Sequence, residues 1–341
     1  MPTLSPPARI LVTGANGYVG CWIVRTLLQR GYCVRGVVRC EDKARSLSAL
    51  IKAKYPSVDA NQFDCAIIPD ILADDSINAL LGDVQGIVHT ATPVTFDLDD
   101  PEDYIKPAVQ GTLGILKSAA KHPDIKRIVV TSSTGAVAES LVQEASVYTE
   151  EDFNDFAVDT VKRVGKAASG ILKYDASKAL AEKAAWKYCE DHKGNLPYEL
   201  SIIAPGWICG PIPDDPPSPE SLVAPSAVME WTQLFVSPPP APHPAMPFNY
   251  VDIRDVVEMH IRALELSEAG GERFIATSPL NIVSQTTPEE RASTELPPHP
   301  IFSNEKAKRK LGMVFKIVPD TLKAIVEDFG ARGWLKHLEV A

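Results

Sequence analysis

The chain has few of the residues that mark a metal site or a disulfide-stapled domain. Six cysteines, at positions 21, 33, 40, 65, 189 and 209, form no C-x-x-C pair in 341 residues. In a chain this size, thiols inside apolar segments read as small buried side chains rather than bridges or ligands. No apolar run approaches the length of a membrane span. The opening, MPTLSPPARILVTG, lacks a basic segment followed by a separate apolar one, so the cytosol is the expected compartment. Positive charge is short as well. Lys and Arg number 34 against 44 Asp and Glu, a net charge of -10. That balance argues against nucleic acid and anionic membrane as partners.

What is present is alternation. Short apolar runs (RILVTG, YCVRGVVR, CAIIPD, GIVHTA, RIVVTSS, YELSIIAPG) are separated by segments of helical period. Helices are expected over 17–30, 42–54, 74–81, 103–121 and 172–192. Repeated strand–helix units with apolar strands imply a parallel sheet covered on both faces, a doubly wound, Rossmann-like α/β fold. The character changes after Pro205: 13 of the 29 prolines lie between 205 and 247. Proline blocks ladders and helix interiors, so this stretch reads as loop with one short helix near 219–235. Its Trp207, Trp231, Leu234 and Phe235 are too apolar for a free linker and suit a substrate lid. The expected organisation is a nucleotide-binding domain over 1–205, with 248–268 folding back onto it. Segments 206–247 and 269–341 would make a smaller α/β substrate-binding domain.

The stretch ILVTGANGYVG carries glycines at 14, 17 and 20, between the first strand and the first helix. Gly14 permits the turn off the strand, Gly17 lets backbone approach a pyrophosphate, and Gly20 lets the helix pack on the sheet. Phosphate would sit at the helix N-terminus, where unpaired N–H groups favour negative charge. At the end of the second strand, where an NAD site places an acid, stands Arg39, with Lys43 close behind. An Arg there suits a 2′-phosphate, so the expected cofactor is NADP(H). Asp70, after the third strand, could meet the adenine amino group or cap the next turn.

Of nine tyrosines only Tyr174 has a Lys four residues on, Lys178. The i, i+4 spacing puts both on one helix face. The preceding strand ends in VVTSSTG and delivers hydroxyls to the carboxyl edge of the sheet, where doubly wound folds bind ligands. A phenol is a weak acid, with an ordinary pKa of about 10. An adjacent ammonium and an oxidised nicotinamide would lower it, so Tyr174 can give a proton to a carbonyl oxygen while Ser133 holds that oxygen by a hydrogen bond. Lys178 would also hold ribose hydroxyls, or it is an exposed helix lysine paired with Glu182.

TGxxGxxG, TSS and YxxxK in this order resemble the extended short-chain dehydrogenase/reductase superfamily, over nearly the whole chain. HTATPV (89–94), APGWICGP (204–211) and YVDIRDVVEMH (250–260) look like the branch of dihydroflavonol reductases, cinnamoyl-CoA reductases and fungal aldehyde/ketone reductases of methylglyoxal type. The resemblance implies NADPH-dependent reduction of an aldehyde or ketone by Ser133, Tyr174 and Lys178. It implies a cofactor held by Gly14, Asn16, Gly17, Tyr18, Val19, Gly20, Arg39, Lys43, Asp70, Ile71, Ala91, Thr92 and Pro205, together with Tyr174 and Lys178. The chain lacks the N-W-Y-C-Y-G-K segment of cinnamoyl-CoA reductases. It has Ala138 where dihydroflavonol reductases often carry Asn, and no Asp-Glu pair of a sugar-nucleotide dehydratase follows Ser133. The fungal reductases remain most similar. The 279–303 segment is shorter and more polar than in such relatives.

Phe96, Trp207 and Phe235 are candidates for an apolar substrate pocket. The acidic runs at 97–104 and 150–152 read as solvated helix N-termini rather than metal ligands. His89 reads as a structural histidine. The expected partner is a small carbonyl compound, with the protein a monomer or homodimer. Two other readings stay open: a sugar-nucleotide epimerase retaining NAD, and a non-catalytic NADP-binding sensor or scaffold.

Overall fold

The computed structural model describes residues 3–73, 75–92, 94–139, 146–216, 218–222, 227–228, 231–236, 249–278 and 300–335. Seven parallel strands form the main sheet: β1 (Arg9–Thr13), β2 (Cys33–Val38), β3 (Phe63–Ile67), β4 (Gly86–His89), β5 (Arg127–Thr131), β7 (Glu199–Pro205) and β10 (Glu272–Ala276). Their order is β3-β2-β1-β4-β5-β7-β10. The direction of winding reverses between β1 and β4, and a doubly wound sheet opens its ligand crevice at such a point. Two short parallel pairs lie outside it, β6 (Val147–Tyr148) with β11 (Ile301–Phe302) and β8 (Trp207–Cys209) with β9 (Tyr250–Asp252).

Apolar side chains on both sheet faces place the helices. On one face, α1 (Tyr18–Gln29) buries Ile23, Val24, Leu27 and Leu28 in a core shared with Val256, Met259 and Leu264 of α6 (Ile253–Glu265). On the other, α3 (Glu102–Ala119) packs on α5 (Gly170–Asp191), with Ile115, Leu116 and Ala185 against Ile87, Ile128 and Ile202. Gly31, at φ 83, ends α1 as its position predicts. The remaining helices are α2 (Glu41–Lys54), α4 (Asp155–Val164), α7 (Glu305–Leu311) and α8 (Val318–Ala331). Among the described residues no helix is long and apolar enough to cross a membrane.

Four features differ from the sequence expectation. The helix over 74–81 is only a 3-10 turn, Asn78–Leu80. Asp75 sits at φ 58 and interrupts helical backbone, although buried Ile77 and Leu81 mimic a helical repeat. Helix α4 was not anticipated. Asn154 caps it by accepting from the Ala157 N–H, and Ala157 and Val161 are buried. Strand β10, assigned by its sequence to the C-terminal part, pairs with β7 in the main sheet. Of the short helix expected over 219–235, the described residues show a 3-10 turn at Pro219–Ser221, helical backbone at Ala227, Val228 and Trp231, and a wide helical turn at Thr232–Val236, while 223–226 and 229–230 lie outside them. Residues 237–247 of the lid stretch 206–247, and 279–299 of the 279–303 segment, likewise lie outside the described residues.

Candidate active site

The turn after β1 is built by its glycines. Gly14 has φ +66, and its carbonyl accepts from the Gly17 N–H at 2.9 Å. A Cβ on Gly20 would lie 2.2 Å from the Gly14 oxygen, so only glycine lets α1 come this close to the turn. No side chain caps the N-terminus of α1, and its first turn holds no acid. The helix end therefore offers backbone N–H groups to an anion.

The glycine turn opens on a cavity of about 870 Å³. Asn16, Gly17, Tyr18, Val19 and Gly20 line it, as do Arg39, Lys43, Ile71, Ala91, Thr92 and Pro205. Arg39 and Lys43 are exposed, and neither has an ion-pair partner among the described residues. An uncapped helix end beside two free cations fits a phosphorylated dinucleotide. Asp70 is not in the lining. Its Oδ1 accepts from the Leu72 N–H at 2.8 Å, which makes it the cap of the following turn.

The same cavity is lined by Ser133, Tyr174 and Lys178. Ser133 begins a 3-10 turn after β5, and its Oγ accepts from the Gly135 N–H at 3.1 Å. Ser169 caps α5, the helix that carries Tyr174 and Lys178. The Lys178 ammonium lies 5.7 Å from the centre of the Tyr174 ring and donates to the Thr131 carbonyl at 3.4 Å. Lys178 is buried, which corrects the alternative of an exposed helix lysine, and Glu182 pairs instead with Arg273. Burial pulls Lys178 down to about 8, against the opposing pull of Glu182. Burial pushes the Tyr174 phenol above its ordinary value, while a hydrogen bond with Ser133 acts the other way. The lowering expected for Tyr174 is therefore not a property of the protein groups alone.

The apolar wall includes Phe96, whose ring meets Tyr174 edge-on at 5.5 Å, and Trp207. Phe235 is elsewhere: it packs on Trp231 and Phe329, in a cluster with Ile212 and Ile325. That aromatic cluster, not the cavity, satisfies its burial. Val94, Ile171, Asp175, Asn249 and Phe302 also line the cavity. Ile171 and Asp175 flank Tyr174 on the same helix, so the helical period could have found them. Phe302 arrives on β11, and no local signal marks it.

Asp175 is buried, its Oδ2 has no hydrogen-bond partner among the described residues, and burial raises its pKa well above the ordinary carboxylate value. His89 is buried against Thr13, with Nδ1 2.8 Å from the Thr13 hydroxyl. Burial, and then the Lys178 charge, hold it near 3, so it is neutral and stays outside the large cavity. Of the acidic runs, Asp99 and Asp100 pair with Lys166 beside α3. Glu150 is not solvated as expected: it is buried and accepts from the Ile275 N–H.

A glycine turn at the switch point, exposed cations beside it and a Tyr–Lys pair in one cavity define a dinucleotide-dependent enzyme of the Tyr–Lys type. The model of the NAD dependent epimerase/dehydratase family matches residues 10–276, and the chain belongs to that family. A putative uncharacterized oxidoreductase of Schizosaccharomyces pombe is 35% identical over 79% of this chain and 77% of its own. A putative NADPH-dependent methylglyoxal reductase of Candida albicans is 32% identical over 82% of each. The crystal structure of yeast methylglyoxal/isovaleraldehyde reductase complexed with NADPH is 26% identical, with a TM-score of 0.75 over 95% of this chain and 99% of that one.

Proposed function

We propose that the protein reduces an aldehyde or ketone to the alcohol with NADPH. The observation that carries this reading is one cavity joining the Gly14–Gly20 turn, the exposed Arg39 and Lys43, and the Ser133, Tyr174 and Lys178 side chains. Arg39 and Lys43 would hold the 2′-phosphate, and the glycine turn with the α1 N-terminus the pyrophosphate. When bound, NADPH supplies the hydride. Ser133 holds the substrate oxygen, Tyr174 gives it a proton, and the Lys178 ammonium stabilises the phenolate left behind. Phe96, Ile171, Trp207 and Phe302 give the cavity apolar wall, and Phe96 meets the Tyr174 ring edge-on. This suits an uncharged, hydrophobic carbonyl compound rather than a sugar nucleotide.

The test is NADPH consumption against a panel of aliphatic, aromatic and dicarbonyl compounds. Tyr174→Phe is expected to lower kcat by about 100-fold or more while NADPH binding, read by fluorescence, stays within about twofold. Undiminished turnover in that variant would remove Tyr174 from the mechanism.

A further inference from the structure

Behind the Tyr–Lys pair lies a buried charge arrangement that the reaction as described does not use. Glu182 follows Lys178 by one helical turn on α5 and is almost wholly buried. Its Oε2 accepts from the Ser132 hydroxyl at 2.7 Å and from Arg273 Nη2 at 3.2 Å, and its Oε1 lies 2.5 Å from Arg273 Nε. The guanidinium is held on several sides. It donates to the backbone carbonyls of Glu150, Asp152 and Ala136, and it stacks on the Phe153 ring at 4.2 Å. Arg273 comes from β10 and Ser132 from the end of β5, so three separate elements fix one carboxylate.

Glu182 and Lys178 also share a small cavity of about 20 Å³, with Thr131, Ser132 and His89 in its wall. That is room for one water. The charged and titratable groups around Lys178 are few. Glu182, Tyr174 and Asp175 share its helix, Asp175 three residues before it with burial raising its pKa, neutral His89 faces it from β4, and Arg273 stands behind Glu182. His260 of α6 bonds to Thr131, and burial holds it neutral near 4. Glu182 is therefore the one anion in that small cavity's lining that also flanks Lys178.

We propose that Glu182 is a positioning residue for the reduction: clamped by Arg273 and Ser132, it holds the Lys178 side chain charged and in place beneath Tyr174. The physical need is clear. A buried ammonium loses its hydration, and an opposite charge nearby restores part of the loss. An unclamped carboxylate would swing away. The bonds from Arg273 and Ser132 hold this one on the Lys178 side of the small cavity.

This inference rests on the reductase reading for its functional meaning, but its first test does not. Lys178 is labelled with acetic anhydride across a pH series and quantified by mass spectrometry, which reports the pH at which the amine becomes neutral. The midpoint is expected near 8 in the unaltered protein. Glu182→Gln should move it down by about one unit, because the anion that favours the ammonium is gone. Glu182→Asp keeps the charge one methylene further back. It should move the midpoint the same way by less, and it reads the effect if the Gln variant fails to fold. The alkaline limb of the kcat profile should shift in the same order. A variant that loses thermal stability while the midpoint stays put would make Glu182 merely structural and overturn the proposal. Absence of NADPH oxidation with any carbonyl would instead sink the reductase reading and leave the labelling result standing.

Discussion

Arg39 stands one residue past β2 with no acidic partner among the described residues, so its charge is available to a ligand. Arg39→Asp is expected to change the ratio of kcat/KM for NADPH over NADH by about 30-fold or more toward NADH, the scale of lost charge-assisted hydrogen bonds. An unchanged ratio would separate Arg39 from the 2′-phosphate. Asp175 offers a test by pH. Its proton is held more tightly in the folded chain than in the unfolded one. Its contribution to stability is therefore fullest below the ordinary carboxylate pKa, about 4, and declines as pH rises toward the folded value. Asp175→Asn removes that decline. The variant should gain about 2–4 °C in Tm over the unaltered protein at about pH 8, and less at about pH 5. A difference independent of pH would mean that Asp175 ionises normally.

Among the elements, α5 and the Ser133 turn meet closely beside the site. A Cβ on Gly135 would fall 2.0 Å from Asp175 Oδ1 and 3.4 Å from Ser133 Oγ. Gly135→Ala should push the turn off the helix, cost about 1–3 kcal/mol of stability and lower kcat more than NADPH affinity. Adding Asp175→Ala should restore much of both, since it removes the atom that the new methyl strikes. If the double variant shows no recovery, the clash lies elsewhere. The strand–turn–helix around Gly14 was legible because each of its requirements is local: an apolar run, a positive φ and a helix that must approach its own turn. The 74–81 segment was misread for the same reason. Ile77 and Leu81 have helical spacing, but the backbone at Asp75 does not, and side-chain periodicity says nothing about φ. Helix α4 carried a readable signal in Asn154 followed by Ala157 and Val161.

At the scale of the molecule, a loop joins the cofactor helix to the last helix. The carbonyls of Gly210, Pro211 and Pro213 accept from Tyr18, Trp22 and Arg25 of α1. On its other side, Ile212 donates to Asp328 and accepts from Arg332 at the end of α8, and Arg332 also reaches Asp215 at 3.6 Å. Arg332→Ala is expected to loosen this junction, raising KM for the carbonyl substrate about fivefold, with NADPH affinity within about twofold. Equal losses for both ligands would show that the loop serves the cofactor instead. None of these contacts was readable from the sequence, because each links residues more than a hundred positions apart. The placement of β10 was hidden likewise: its partners on β7 are chosen by the sheet, not by the strand's own composition. Ser133, Tyr174 and Lys178 could be found early because superfamily order and helix spacing are written along the chain, whereas Phe302 depends on where β11 lands.

The Arg273 clamp has a consequence for how the chain is made. Ribosomes deliver the Glu182 carboxylate 91 residues before its counter-ion. At about 5–20 residues per second, that is an interval of several seconds. The first five strands of the main sheet can assemble during that time, but the floor beneath Lys178 holds a charge without its mate until β10 emerges and docks beside β7. A nascent chain halted before residue 273 would carry both halves of the Tyr–Lys pair and still lack the anchor that fixes their surroundings.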